Sequence, residues 1–255
     1  KIVIGGKFTT FNSTNINRIA RLNADGSFDS SFNPGSGANG EVLVVQIDTS
    51  GRIIIAGDFT QVDGQSRPRI ARLNANGSLD STFNPGTGAN GAIRAVYLDT
   101  GTGNIYVGGD LTTFGSNPRS RIARIGSTGT VDLGWDASTV ITNGQIRTLA
   151  IDGAGNLVVG GSFTDAAGDA TIDYLTKIST VTAAQVDFTT SNPLLNGAVN
   201  AALVQADGKV IVGGEFTTAN GLSRIRIARF ESDGQTDLDI NFGTGANGAI
   251  LVMAL

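Results

Sequence analysis

Apolar residues come along this chain in short bursts, and the bursts recur. The stretch Ala38–Phe59, ANGEVLVVQIDTSGRIIIAGDF, returns with changes at Ala89–Leu111, Thr142–Phe163 and Leu195–Phe216. Its second half stands alone at the start as KIVIGGKF, Lys1–Phe8, and its first half alone at the end as ANGAILVMAL, Ala246–Leu255. Each burst is too short for a helix and is bounded by Gly, Asn, Asp or Ser. That pattern predicts strands joined by tight turns.

Two independent marks keep one period of about 51 residues, which defines a structural repeat. The segments ending in GG-x-F begin at Lys1, Arg52, Asn104, Asn156 and Lys209. The second mark is RIARL from Arg18 and Arg69, RIARI from Arg121, YLTKI from Tyr174 and RIARF from Arg226. A third mark, DGSFDSSFNPGSG from Asp25, is echoed from Asn76 and more loosely from Thr128 and Asp233.

In the first complete unit the pattern predicts four strands: Val42–Asp48, Arg52–Phe59, Arg69–Ala75 and Ser78–Asn84. The first is nearly continuous in apolar residues (Val42, Leu43, Val44, Val45, Ile47), which predicts a strand buried on both faces, as in the inner strand of a radial array. The paired glycines Gly5–Gly6, Gly108–Gly109, Gly160–Gly161 and Gly213–Gly214 read as bulges or points of close backbone approach. The unit at 52–59 has Ala56–Gly57 there, so one small side chain fits.

The ends suggest closure. Leu255 aligns with Ile47 and Lys1 with Arg52, so only the turn matching Asp48–Gly51 is missing between them. The expectation is an all-β, five-bladed β-propeller of four-stranded antiparallel blades, closed by pairing of the C-terminal strand 250–255 with the N-terminal strands. It makes 1–255 a single domain with blades at about 41–84, 92–135, 145–189, 198–242, and 249–255 plus 1–32. An open stack of sheets within a longer array is the alternative. The chain opens in mid-repeat, which reads as a fragment, a processed product or an engineered piece.

GG-x-F, N-R-I-A-R-L-N-x-D-G-S-x-D, F-N-P-G-x-G-A-N-G and the strand that follows resemble the delta-60 repeat, a bacterial and phage β-propeller repeat. The resemblance covers the whole chain. It is weakest from Gln145 to Gly197, where DYLTKISTVTAAQVDFTTSNPLLNG replaces RIARL and GANG. It implies a place in large surface, adhesin-like or virion-associated proteins, and it carries over no catalytic residue.

Composition narrows the chemistry. The 255 residues include neither Cys nor His, which removes thiolate and Ser–His or Cys–His catalysis and the commonest zinc ligands. Net charge is −4, which argues against a nucleic-acid partner. No apolar run is long enough for a membrane-spanning helix, so no membrane insertion is expected. Asp25 and Asp29 supply too few oxygens for a calcium loop and read as turn-formers. No catalytic residue, metal or cofactor is expected.

Three candidate ligand-binding residues remain. The second position of the first strand reads Leu43, Arg94, Arg147, Asn200 and Leu251. Arg94, Arg147 and Asn200 interrupt an apolar run and suit a carboxylate, sulfate or sugar, or else they pair with a nearby acid. The RIAR arginines repeat at equivalent sites, which points to structural bonds with Asp29, Asp80, Asp132 and Asp237. The loops after GG-x-F vary in sequence, while the turns between the first two strands are uniform. Binding is therefore expected at the loop face. The favoured function is a non-enzymatic display or interaction module, extracellular, cell-surface or virion-borne, whose partners are other chains of the assembly or surface glycans. A multivalent lectin-like propeller is the alternative. A carboxylate-based glycoside-active enzyme is a third reading.

Overall fold

The computed structural model describes residues 1–169, 172–188 and 194–254. The repeat read at 145–189, the loop after Phe163 and the strand ending at Leu255 each include residues outside that set. The structure is all-β. Among the described residues there is no helix long and apolar enough to cross a membrane.

The second strand of each repeat is its buried centre. Ile53–Asp58, Ile105–Gly109, Asn156–Gly161 and Val210–Gly214 are almost wholly buried. Each pairs antiparallel with a first strand on one side and a third strand on the other. The first strands are Glu41–Ile47, Ile93–Leu98, Ile146–Ile151 and Val199–Val204. The third are Ile70–Leu73, Ile122–Ile125, Leu175–Ser179 and Ile227–Phe230.

Contacts divide the chain into two compact units, Lys1–Arg119 with Ala123–Asp132, and Ser120–Ile122 with Leu133–Leu255. The first has two apolar cores, one around Ile19, Phe32, Val42 and Phe59, the other around Phe83, Ile93, Val107 and Phe114. The second is built around Leu175, Phe188, Val199, Phe216 and Phe230. Every one of these cores draws side chains from consecutive repeats of one unit, so within a unit neighbouring repeats cover each other's apolar faces.

The closed five-bladed ring of four-stranded blades is not formed. No sheet closes, Ile250–Ala254 adopt no strand, and Ile2–Gly5 pairs with Ile19–Leu22 alone in a two-stranded sheet. The C-terminal segment is anchored by stacking instead. Ile250 donates its N–H to the Gly214 carbonyl at 3.2 Å, and a Cβ at Gly213 would meet Ile250 and Met253. Leu251 and Val252 stay 73% and 81% exposed.

The fourth strand is mostly absent too. In four repeats it shrinks to one bridge, Leu22–Phe28, Leu73–Leu79, Ile125–Val131 or Phe230–Thr236. The reason is where the backbone amides go. Asp80 Oδ1 accepts the Thr82 N–H at 2.9 Å, Phe83 N–H turns back to the Asp80 carbonyl, and Asn84 N–H donates to Thr128 of the next repeat. The divergent repeat has Val186 opposite Lys177 where the others have that aspartate, so no such turn forms. There Gln185–Val186 is a true fourth strand.

The first strand is not buried on both faces. Leu43 is 36% and Ile47 54% exposed. Its unbroken apolar run is instead an alternating strand with a bulge. Val42 pairs with Gly57 and Val44 with Ala56, which leaves Leu43 as the extra residue. The inserted residue shifts the alternation by one, so Val42 and Val45, three apart, both face Gly5 of the preceding repeat.

The same bulge recurs opposite Gly108–Gly109, Gly160–Gly161 and Gly213–Gly214, with Arg94, Arg147 and Asn200 as the extra residues. The second glycine is the close approach. A Cβ at Gly57, Gly109, Gly161 or Gly214 would lie about 2 Å from a first-strand carbonyl oxygen.

Candidate functional site

The face bearing the loops after GG-x-F is more uniform than its sequence. Four of these loops fold into two-residue hairpins, Thr10–Phe11 with Thr14–Asn15, Gln61–Val62 with Gln65–Ser66, Thr113–Phe114 with Asn117–Pro118, and Thr218–Ala219 with Leu222–Ser223. Their tips, Asn12–Ser13, Asp63–Gly64, Gly115–Ser116 and Asn220–Gly221, all have positive φ at both residues, the type I′ geometry that suits the twist of a hairpin. Ala167–Gly168 repeats it in the fifth loop.

Three of the hairpins are pinned by the asparagine of the preceding N-G pair. Asn90 Oδ1 accepts the N–H groups of Thr112 and Thr113 at 2.8 and 3.0 Å, and its Nδ2 donates to Thr112 Oγ1 at 2.7 Å. Asn39 and Asn196 make the same three bonds.

The three sequence candidates sit at the bulges, where an extra residue re-aims its side chain. In the first unit Arg94 pairs with Asp110 at 2.8 Å. In the second unit Arg147 Nη1 donates to Asn200 Oδ1 at 2.7 Å and to Glu215 Oε1 at 2.8 Å. Asn200 Nδ2 donates to the Ile250 carbonyl at 3.0 Å. Arg147 and Asn200 are thus brought together, and Arg94 lies in the other unit. An anionic ligand at Arg147 has to displace Glu215, whose side chain is 49% exposed. The acids Asp110 and Glu215 were a missed signal: both occupy the x of GG-x-F.

The second arginine of each RIAR segment pairs with an aspartate of its own repeat, and in the first two it also bonds the next repeat. Arg21, Arg72, Arg124 and Arg229 donate Nε to Asp29, Asp80, Asp132 and Asp237 at 2.6–2.8 Å. Arg21 and Arg72 also stack at 5.0 Å over Phe32 and Phe83. Their Nη1 atoms cross the seam to the carbonyls of Ala75 and Ser127. Lys177 does the equivalent, lying 4.4 Å over Phe188, bonding the Ser232 carbonyl at 3.0 Å and pairing with Asp152 at 3.0 Å.

A lysine at the start of the second strand joins this clamp in two repeats. Lys1 bonds Asp29, and Lys209 bonds Asp237 and Glu231, each at 2.8 Å. The Lys209 ammonium, and after it the Asp239 N–H and Arg229, hold the Asp237 carboxyl down at about 2 against its burial. Those carboxylates raise the Lys209 ammonium above its usual value.

At two of the positions where another residue replaces this lysine, Arg52 and Asn156, a cleft lies at the seam. In the first unit Arg52 turns to Asp48 at 2.7 Å, beside a cleft of about 100 Å³ lined by Ile54, Arg72, Leu98, Asp99 and Ser127. In the second unit Asn156 is too short to reach across. The cleft there is about 400 Å³ and is lined by Asp152, Lys177, Val186, Asp187, Gly208 and Ser232. The two clefts are built from equivalent positions and lie among the uniform turns.

Among the described residues no group of three or more acids could hold a metal ion. Asp25 Oδ1 accepts the Ser27 N–H and hydroxyl at 3.0 and 2.6 Å, and the Ser27 hydroxyl bond leads in lowering its pKa. That is a turn aspartate.

No protein with a curated description matches the chain. Among solved structures, the extracellular domain of a provisionally assigned hybrid two-component system from B. thetaiotaomicron aligns at 15% identity and a TM-score of 0.49, covering 86% of this chain and 26% of that one. The chain therefore spans about a quarter of that domain. A protein of unknown function from Bacteroides caccae aligns at 13% identity and a TM-score of 0.48, covering 92% and 90%. Neither likeness carries an inference to function.

A family profile matches residues 1–32, 49–83, 101–134 and 205–239, more than half of the sequence, and passes over the divergent repeat. The chain belongs to the β-propeller family described as a domain of unknown function, DUF5122.

Proposed function

We propose that this chain is a non-enzymatic display and interaction module of an extracellular or virion-surface protein, which docks onto other chains of a larger assembly. One observation carries the reading: the hairpins share a backbone geometry, and three of them an asparagine pin, but they differ in sequence at their tips. A frame that holds its geometry constant while its tip residues change is suited to recognition. The recurring charges are engaged inside the frame, in the arginine–aspartate clamps, rather than gathered around a reacting centre. The resemblance to delta-60 repeats supports the surface setting. Neither metal nor cofactor enters this reading.

The equivalent seam clefts favour a second reading, a lectin-like module whose weak sites gain strength through multivalency. A glycan array separates the two: selective glycan retention that survives replacement of all hairpin tips selects the lectin. The display reading expects Asp63→Ser and Asn12→Gly to leave thermal stability within about 2 °C. It also expects no polysaccharide to be turned over. Steady hydrolysis of any polysaccharide, abolished by substituting a single carboxylate, would overturn the non-enzymatic assignment.

A further inference from the structure

The wider seam cleft has an internal precedent for its ligand. At the matching place in its neighbour, Lys209 runs from the start of the second strand and sets its ammonium between Asp237 and Glu231, at 2.8 Å from each. The divergent repeat changes all three parts of this arrangement. Asn156 stands where Lys209 stands, Val186 where Asp237 stands, and Ser179 where Glu231 stands. Lys177, left without a cross-strand carboxylate, pairs with Asp152, and the two side chains are each 7% exposed. That ion pair is neutral. The cleft above it keeps one exposed carboxylate, Asp187, next to Val186.

We propose that the cleft lined by Asp152, Asn156, Val186, Asp187, Gly208 and Ser232 binds a primary alkylammonium group, with Asp187 as its carboxylate partner in the room that Asn156 leaves where the next repeat has Lys209. Size, charge and surroundings agree with this. About 400 Å³ admits an aminoalkyl chain or an amino-sugar ring. The lining carries one net negative charge once Lys177 and Asp152 offset each other. The protein is acidic overall at −4, which favours a cationic ligand over an anionic one. Val186 and the small residues Gly153, Ala154 and Gly208 give the alkyl part an apolar wall. The proposal is independent of the display reading, because none of these residues belongs to a hairpin tip.

The test is an NMR titration of the whole chain with n-butylammonium, with 1-butanol as the neutral isostere. Binding of the amine is expected to shift resonances of Asn156, Asp187 and Gly208, and butanol is expected to leave them in place. Asp187→Asn, at an exposed position that keeps the fold, should weaken the amine about fivefold. Asn156→Lys should supply the ammonium from within and reduce binding more than about tenfold, with an unchanged circular dichroism spectrum. Glucosamine and Nα-acetyl-lysine methylamide then distinguish an amino sugar from a lysine side chain as the natural source, with N-acetylglucosamine as the uncharged control. Equal binding of butylammonium and butanol would overturn the proposal. So would amine binding that Asp187→Asn leaves unchanged, or that Asn156→Lys leaves unchanged in a folded protein.

Discussion

The repeat at 41–84 and the repeat at 145–188 solve the same problem with different charges. In the first, Arg72 and its cross-strand partner Asp80 form the pair, with side chains 5% and 8% exposed. In the second, Val186 faces the cation and the carboxylate comes from Asp152 in the turn before the second strand. Three things are common to both. A cation sits under an aromatic ring, bonds a buried carboxylate, and reaches a carbonyl of the following repeat. The seam therefore needs the cation and its three contacts, whereas the source of the anion is negotiable.

The largest effect is expected from breaking that pairing. Arg72→Ala or Asp80→Val leaves one buried charge without its partner and should cost about 3–5 kcal/mol in chemical denaturation. Asp80→Val imitates Val186 but gains no substitute, because Arg52 already engages the nearby Asp48. The converse change, Val186→Asp, restores the consensus pair and should be close to neutral. If Asp80→Val proves as mild as Val186→Asp, the clamp is a passenger and the comparison fails.

A smaller, sharper effect separates the two glycines of each pair. A Cβ at Gly161 would lie 1.9 Å from the Gln145 carbonyl oxygen, fixed backbone that cannot yield. A Cβ at Gly160 would meet Val199 and Thr148 side chains, and the equivalent position in the other repeat is already Ala56. Gly161→Ala should cost about 3 kcal/mol, and Gly160→Ala about 1 kcal/mol. Thermal melts of the two single variants check the order. Equal losses would show that the bulge relaxes more readily than its carbonyl contacts imply.

Much of this was legible in the residues. The period, the all-β class, the glycine pairs as bulges and the clamp partners of Arg21, Arg72, Arg124 and Arg229 follow from repetition at equivalent positions. The misses share a cause, which is that pattern reports apolarity and not pairing. The run from Val42 to Ile47 looks doubly buried because a one-residue bulge inverts the alternation partway along it. The stretch Ser78–Asn84 looks like a strand, yet Asp80 takes the Thr82 amide into a local turn and the ladder stops. The alignment of Leu255 with Ile47 suggested closure, while Ile250 and Met253 satisfy their burial by stacking on Gly213. The hairpin tips were readable as Asp63–Gly64 and Asn220–Gly221, which favour type I′ turns. The seam clefts were not readable, because they arise where a lysine is missing.

Acid should cost the lysine-reinforced clamp more stability than a clamp without the lysine. The Asp237 carboxyl is held at about 2 in the folded chain, chiefly by Lys209, against an ordinary 3.8. A carboxyl whose folded value lies below its unfolded value contributes stability that is complete above the unfolded value and is lost as pH falls through the folded one. The contribution of Asp237 is therefore present at neutral pH, declines below about pH 4 and is gone once pH falls below about 2. Lys209→Met removes the leading cause of the depression, so the Asp237 value should rise toward 3.8 and the acid slope over that interval should flatten. Urea titrations at pH 7, 4 and 3 measure it. Stability of the parent chain should fall more steeply between pH 4 and 3 than that of the Lys209→Met chain. In the 145–188 repeat Asn156 already occupies the lysine position and its side chain is only the last of the groups that lower Asp152, so Asn156→Met should flatten the slope less than Lys209→Met does. If both methionine variants flatten it alike, Lys209 has no special hold on Asp237, and the distinction drawn between the two seams reduces to packing.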